Sequence, residues 1–111
     1  MRVTVVEMAD FTRRSKALMT DAERMEMIDI LSAAPDGGVS LGHGLYKVRF
    51  ARQGEGKSGG YRTVHYYRRD DGPLLLLTMF AKNEKANLSA NELALLNRMA
   101  ELAAATYRRQ Q

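Results

Sequence analysis

Apolar residues recur with three different spacings along this chain, and each spacing predicts a different kind of element. Val3 to Met8 alternates weakly and carries β-branched residues, which predicts a short first strand. Asp10 is placed to cap a helix that bears Phe11 and Leu18 two turns apart on one face. Thr20-Asp21-Ala22-Glu23 has capping-box spacing and opens a second helix. In that helix Met27, Ile30, Leu31 and Ala34 fall at i, i+3, i+4 and i+7, and Pro35-Asp36-Gly37-Gly38 stops it. Val39 to Gly44 reads as a glycine-containing connection. The period then changes to two. Leu45, Lys47 and Arg49 alternate with Tyr46, Val48 and Phe50. After a glycine-rich loop from Ala51 to Gly60, Arg62, Val64 and Tyr66 alternate with Tyr61, Thr63, His65 and Tyr67.

Asp70-Asp71-Gly72-Pro73 is a hairpin turn by composition. Leu74 to Phe80 shows no alternation, so that strand is expected to be covered on both faces. A second capping box, Ser89-Ala90-Asn91-Glu92, starts a helix with Leu93, Leu96, Ala100 and Ala103 on one face and Leu95, Met99 and Leu102 beside it. The order strand, helix, helix, three strands, helix (β-α-α-β-β-β-α) is that of an α+β domain with a small, antiparallel-type sheet. At 111 residues, positions 1–111 make one domain with one core.

Composition narrows the chemistry. The chain has no cysteine, which removes disulfides, thiolate metal sites and cysteine nucleophiles. Its longest apolar run, Leu74 to Ala81, is too short to cross a bilayer, and no apolar region follows Arg2 as a signal peptide would require. A cytoplasmic protein with no membrane contact is expected. The net charge is only +4, but it is unevenly spread. Between Gly44 and Arg69 stand seven basic residues and one acid, Glu55, leaving ten basic and twelve acidic residues elsewhere. Such a local imbalance fits either a polyanion partner or a solvated basic surface.

Gly56-Lys57-Ser58 resembles part of a phosphate loop, but Ala51 stands where that motif needs its first glycine, and a strand follows where it needs a helix. His43 and His65 are too few and too poorly supported by nearby acids for a zinc site, and the methionines fit core filler. No metal or cofactor is expected. The cations are different. Lys47 and Arg49 share a strand face, an antiparallel neighbour can place Arg62 beside them, and Lys82 and Lys85 emerge where the last strand ends. Fixed cations around one surface suit a phosphodiester, because arginine grips phosphate oxygens in a fork and crowded cations bring a lysine closer to proton exchange. The same spacing also fits a ladder of exposed strand cations with no common ligand.

Three segments carry a family resemblance: Gly44-Leu-Tyr-Lys-Val-Arg-Phe-Ala-Arg52, Gly56-Lys-Ser-Gly-Gly-Tyr-Arg-Thr-Val-His-Tyr-Tyr67 and Leu76-Leu-Thr-Met-Phe-Ala-Lys-Asn-Glu-Lys-Ala-Asn-Leu-Ser89. They resemble the RelE/HigB group of bacterial type II toxin–antitoxin toxins, and the HigB-like branch best, over nearly the whole chain. The resemblance implies two N-terminal helices on one side of the sheet and the C-terminal helix on the other. It implies a toxin that enters the ribosomal A site and cuts mRNA by attack of a ribose 2′-hydroxyl on the adjacent phosphorus, without metal. By position it gives Lys47 and Arg49 to proton transfer, with Lys47 the better carrier because arginine keeps its proton, and Arg62 to phosphate stabilisation. Lys82, Lys85 and Lys57 are implied contacts to RNA.

Two positions depart from the family pattern. Asn83 stands where an active-site arginine is expected and Ser89 where a catalytic tyrosine is, which leaves the general base open, with Tyr61 and His65 as substitutes. Implied partners are a cognate antitoxin, expected to be a small helix-turn-helix protein, the ribosome with its mRNA, and operator DNA through the antitoxin alone. Two alternatives share the fold: a ParE-like inhibitor of DNA gyrase, and an inactive relative acting only through antitoxin binding. The clustered Lys47, Arg49 and Arg62 favour RNA cleavage over gyrase inhibition.

Overall fold

Every residue from Leu74 to Phe80 is buried, and the sheet is built outward from that strand. In the computed structural model, which describes residues 3–52, 56–69, 72–85 and 87–110 (backbone only at 52 and 56–59), the strands are β1 (Val5–Glu7), β2 (Val39–Gly42), β3 (Leu45–Arg52), β4 (Gly56–Tyr67) and β5 (Leu74–Ala81). They lie in the order β1-β5-β4-β3-β2. β2 to β5 form an antiparallel set, and β1 joins the far edge parallel to β5. The helices are α1 (Ala9–Leu18), α2 (Asp21–Ala33) and α3 (Ala90–Arg109). This is an α+β fold with a mixed sheet.

The sheet separates two apolar clusters. On one face Phe11, Met27 and Leu31, from α1 and α2, pack on Tyr61, Leu74, Leu76 and Met79. On the other, Ala100 and Ala104 of α3 pack on Leu45, Val64, Tyr66, Leu75, Leu77 and Phe80. The unbroken apolar run of β5 serves both faces, as its lack of alternation predicts. Each fully buried leucine there contributes about 1.5–3 kcal/mol of transfer free energy. No helix among the described residues is long and apolar enough to cross a membrane.

Both capping boxes form. The Thr20 side chain accepts from the Glu23 backbone N–H and the Ser89 side chain from that of Glu92, while each glutamate reaches back to its cap.

Several sequence expectations are corrected. Val39 to Gly42 is an edge strand rather than a connection, paired with β3 and bulged between Ser40 and Gly42. Mostly exposed and only four residues long, it has no apolar alternation to announce it. Gly38 admits it: its φ is +90°, and a Cβ there would lie 2.5 Å from the Lys47 carbonyl oxygen. β4 begins at Gly56, so the glycine-rich stretch is largely hairpin strand, not loop. Met8, not Asp10, is the N-cap of α1, and it caps without a side-chain bond. Asp10 instead accepts from the Thr78 hydroxyl and pairs with Arg13 and Arg14. Burial alone would raise its pKa; the Thr78 hydrogen bond and the two guanidiniums outweigh burial and hold the carboxyl below its ordinary value. Ile30, predicted in the core stripe of α2, is half exposed. Asp70 and Asp71 of the predicted turn lie outside the described residues.

Candidate active site on the sheet face beneath the last helix

The alternation of β3 turns Leu45 into the core under α3 and sends Lys47 and Arg49 to the same face. Antiparallel pairing then sets Arg62 of β4 directly opposite Arg49. Two like charges in one cross-strand pair oppose folding. Arg62 is 5 % exposed, and neither arginine forms an ion pair with a carboxylate among the described residues. The Arg62 guanidinium donates to the Tyr61 carbonyl oxygen at 3.3 Å. Burial, with the charge of Arg49 adding to it, lowers the Arg62 pKa from the ordinary arginine value. An arginine nevertheless stays charged at neutral pH. The site is thus a cation held out of water beside a second cation, an arrangement that an anion would relieve.

Its walls come from three further places. Phe80 of β5 is paired with Arg62 in the register and is buried beside it. Lys85, in the segment between β5 and α3, sits 5.3 Å above the Phe80 ring and is ion-paired with Glu92 in the first turn of α3. Lys85, with the Ser89 N–H adding, holds the Glu92 carboxyl down at about 2. Lys47 Nζ donates to Asn87 Oδ1 at 2.8 Å. Close to this wall β3 and β4 approach at Gly60, where a Cβ would lie 2.4 Å from the Phe50 carbonyl oxygen. The Gly60 carbonyl accepts from the Lys82 backbone N–H at 2.9 Å.

The structure therefore brings Lys47, Arg49, Arg62 and Lys85 to one end of one sheet face. Lys82 is exposed at the end of β5, beside Gly60. The side chain of Lys57 lies outside the described residues; its backbone belongs to β4, so no helix follows Gly56-Lys57-Ser58 as a phosphate loop requires.

Tyr61 and His65 do not join this group, which corrects their expected place as acid–base substitutes. Alternation along β4 points them to the opposite face, under α1 and α2. There the Tyr61 hydroxyl donates to the Leu18 carbonyl oxygen at 3.1 Å. His65 is fully buried, stacked on Tyr46 at 5.4 Å, with Nε2 at 2.6 Å from the Pro35 carbonyl oxygen. Burial lowers its pKa, a trend the Pro35 contact only partly opposes.

Sequence reading missed Asn87 and the second role of Glu92. The capping box announces Glu92, but its pairing with Lys85 depends on how the chain enters α3. Asn87 carries no local signal at all, being 40 positions from Lys47. Among the described residues no group of three or more His, Cys, Asp or Glu could hold a metal ion.

Comparison with known proteins bears on the family and the fold. A family profile described as RelE toxin of the RelE/RelB toxin–antitoxin system matches residues 2–111. Among solved structures, a double arginine-to-alanine mutant of Escherichia coli toxin RelE in the free state superposes with a TM-score of 0.58 at 10 % sequence identity. The match covers 78 % of this chain and 90 % of that one.

Proposed function

Because the chain belongs to the RelE toxin family and is thus the toxin partner of an antitoxin, we propose that it is a ribosome-dependent mRNA endonuclease of the HigB-like branch. The observation that carries this reading is the Arg49–Arg62 cross-strand pair, buried on one side and without a carboxylate among the described residues. A fold accepts that cost where a phosphate takes the place of the missing acid. A toxin that worked only by binding gyrase, or an inactive relative, gains nothing from it.

In the proposed reaction the ribose 2′-hydroxyl gives its proton to a solvent water as its oxygen forms a bond to the adjacent phosphorus, and the bond from phosphorus to the 5′-oxygen breaks. The proton released to water later recharges the group that protonates the leaving oxygen. The products are a cyclic phosphate and a 5′-hydroxyl. Negative charge accumulates on the non-bridging oxygens, where Arg62 and Arg49 offer fixed guanidinium donors. Lys47, steered by Asn87, supplies a proton to the departing 5′-oxygen. Lys85 and Lys82, with Lys57, hold the flanking backbone. Positioning of the 2′-hydroxyl in line with the leaving group accounts for much of the acceleration. The ribosome and mRNA place the activity in the cytoplasm, and the antitoxin is a small helix-turn-helix protein that links the toxin to operator DNA.

The test is to map mRNA 5′ ends in a purified translation system, with wild type and Arg62→Ala, with and without ribosomes. Cuts within codons that require both ribosomes and Arg62 are expected, with the variant folded and no longer arresting growth. Intact mRNA with active wild-type toxin, or full toxicity of folded Arg62→Ala, overturns the assignment.

A further inference from the structure

A second cationic cleft lies on the same sheet face, at the other end of β4. Its volume is about 610 Å³, and it is lined by Tyr66, Arg68, Arg98, Glu101, Leu102 and Arg108. The strand that carries Arg62 leads to it, since Arg62, Val64 and Tyr66 alternate on the α3 side and Arg68 follows at the same period. At about 3.3 Å per residue, the six positions from Arg62 to Arg68 span about 20 Å. The other wall is the flank of α3 where Arg98, Glu101 and Arg108 recur at helical spacing. That flank faces away from α1, whose side of α3 lines a different groove with Glu92, Leu95 and Leu96.

Three guanidiniums meet one acid in this cleft, and neither Arg68 nor Arg98 forms an ion pair among the described residues. The Arg68 stem runs over Gly44: a Cβ on that glycine would come within 3.0 Å of it. The hairpin turn thereby keeps Arg68 at the mouth of the cleft.

We infer that the Arg68–Arg98–Arg108 cleft is a second binding site for RNA backbone, engaging phosphodiesters remote from the bond that is cut. The inference rests on the endonuclease reading for the identity of the polyanion. A phosphodiester chain carries charge at regular intervals, and the two cationic clusters stand about 20 Å apart at opposite ends of the stretch of β4 that α3 covers. An acidic protein segment has no reason to align with both clusters. The same phosphates can come from the message or from ribosomal RNA, and experiment separates the two.

The measurement is toxin affinity as a function of salt for three probes: an unstructured RNA oligonucleotide, ribosomes without message, and ribosomes programmed with mRNA. It compares wild type with the double variant Arg68→Ala/Arg98→Ala, and with Arg98→Ala alone in case the double variant folds poorly. The slope of log affinity against log salt should fall by about one for each phosphate contact removed. Saturating cleavage should be retained, because Arg62 is untouched. Loss on empty ribosomes assigns the phosphates to ribosomal RNA; loss on the oligonucleotide or only on programmed ribosomes assigns them to the message. Both support the inference. If wild type binds RNA but cuts none, the cleavage reading fails, and a reduced slope in the variants still upholds the cleft. Variants that match wild type on all three probes overturn it. With polyglutamate as a control probe, a slope reduced there but unchanged on all three RNA probes assigns the cleft to an acidic protein and likewise overturns the inference.

Discussion

Arg62 and His65 stand three positions apart on β4 and show how a strand divides its chemistry between two faces. Replacing Arg49 by threonine removes the like charge opposite Arg62 and adds a β-branched residue. Arg49→Thr should therefore gain up to about 1 kcal/mol of stability by denaturant unfolding while losing RNA cleavage. Inorganic phosphate should raise the melting temperature of wild type more than that of the variant. His65 makes the opposite demand. Its Nε2 serves Pro35 while its buried Nδ1 has no partner, so protonation would place an unpaired charge in the core. The folded pKa lies below the ordinary value of 6.5, so the unfolded chain takes up the proton first. Stability is full above about pH 6.5 and is lost as pH falls from there through the folded pKa, at up to about 1.4 kcal/mol per pH unit. Denaturant titrations across that window should show the slope in wild type and lose it in His65→Gln. A slope that persists in the variant would assign the proton elsewhere. Period-two alternation was enough to put Lys47, Arg49 and Arg62 on one face. The same alternation excludes His65 and Tyr61 from that face; weighing side-chain type ahead of direction admitted them as substitutes.

At the scale of elements, the segment between β5 and α3 decides how complete the site is. Glu92 closes the capping box of α3 and also holds Lys85, so the start of the helix and the wall of the site are one structure. Ser89→Ala should cost about 1 kcal/mol of stability through the lost cap, measured by chemical denaturation. It should also reduce cleavage more than an equally destabilising change at Thr20, which caps α2 on the other side of the sheet. Equal losses in the two variants would mean that the cap acts through stability alone. Elements with local signals were legible in the sequence: two capping boxes, a helix stop at Pro35 to Gly38, and the doubly covered β5. Elements specified by their neighbours were not. β2 exists because β3 offers an edge and Gly38 can approach it; Asn87 meets Lys47 only when β3, β5 and α3 are assembled.

The whole molecule is a sheet whose first strand in sequence pairs with its last. Val5 is in register with Leu74, so β1 has no partner until β5 has been made. Pairing such distant parts of a chain carries a loop-closure cost that slows folding. The cationic face is subject to the same order: Arg49 and Arg62 appear early, but Phe80, Lys85, Asn87 and Glu92 follow them, and α3 closes the core over Val64 and Tyr66 only at the end. The two arginines and the groups that flank them are thus contributed by different stretches of the polypeptide, and a chain folded only as far as β4 carries the like-charged pair without Phe80, Lys85 or Asn87 around it.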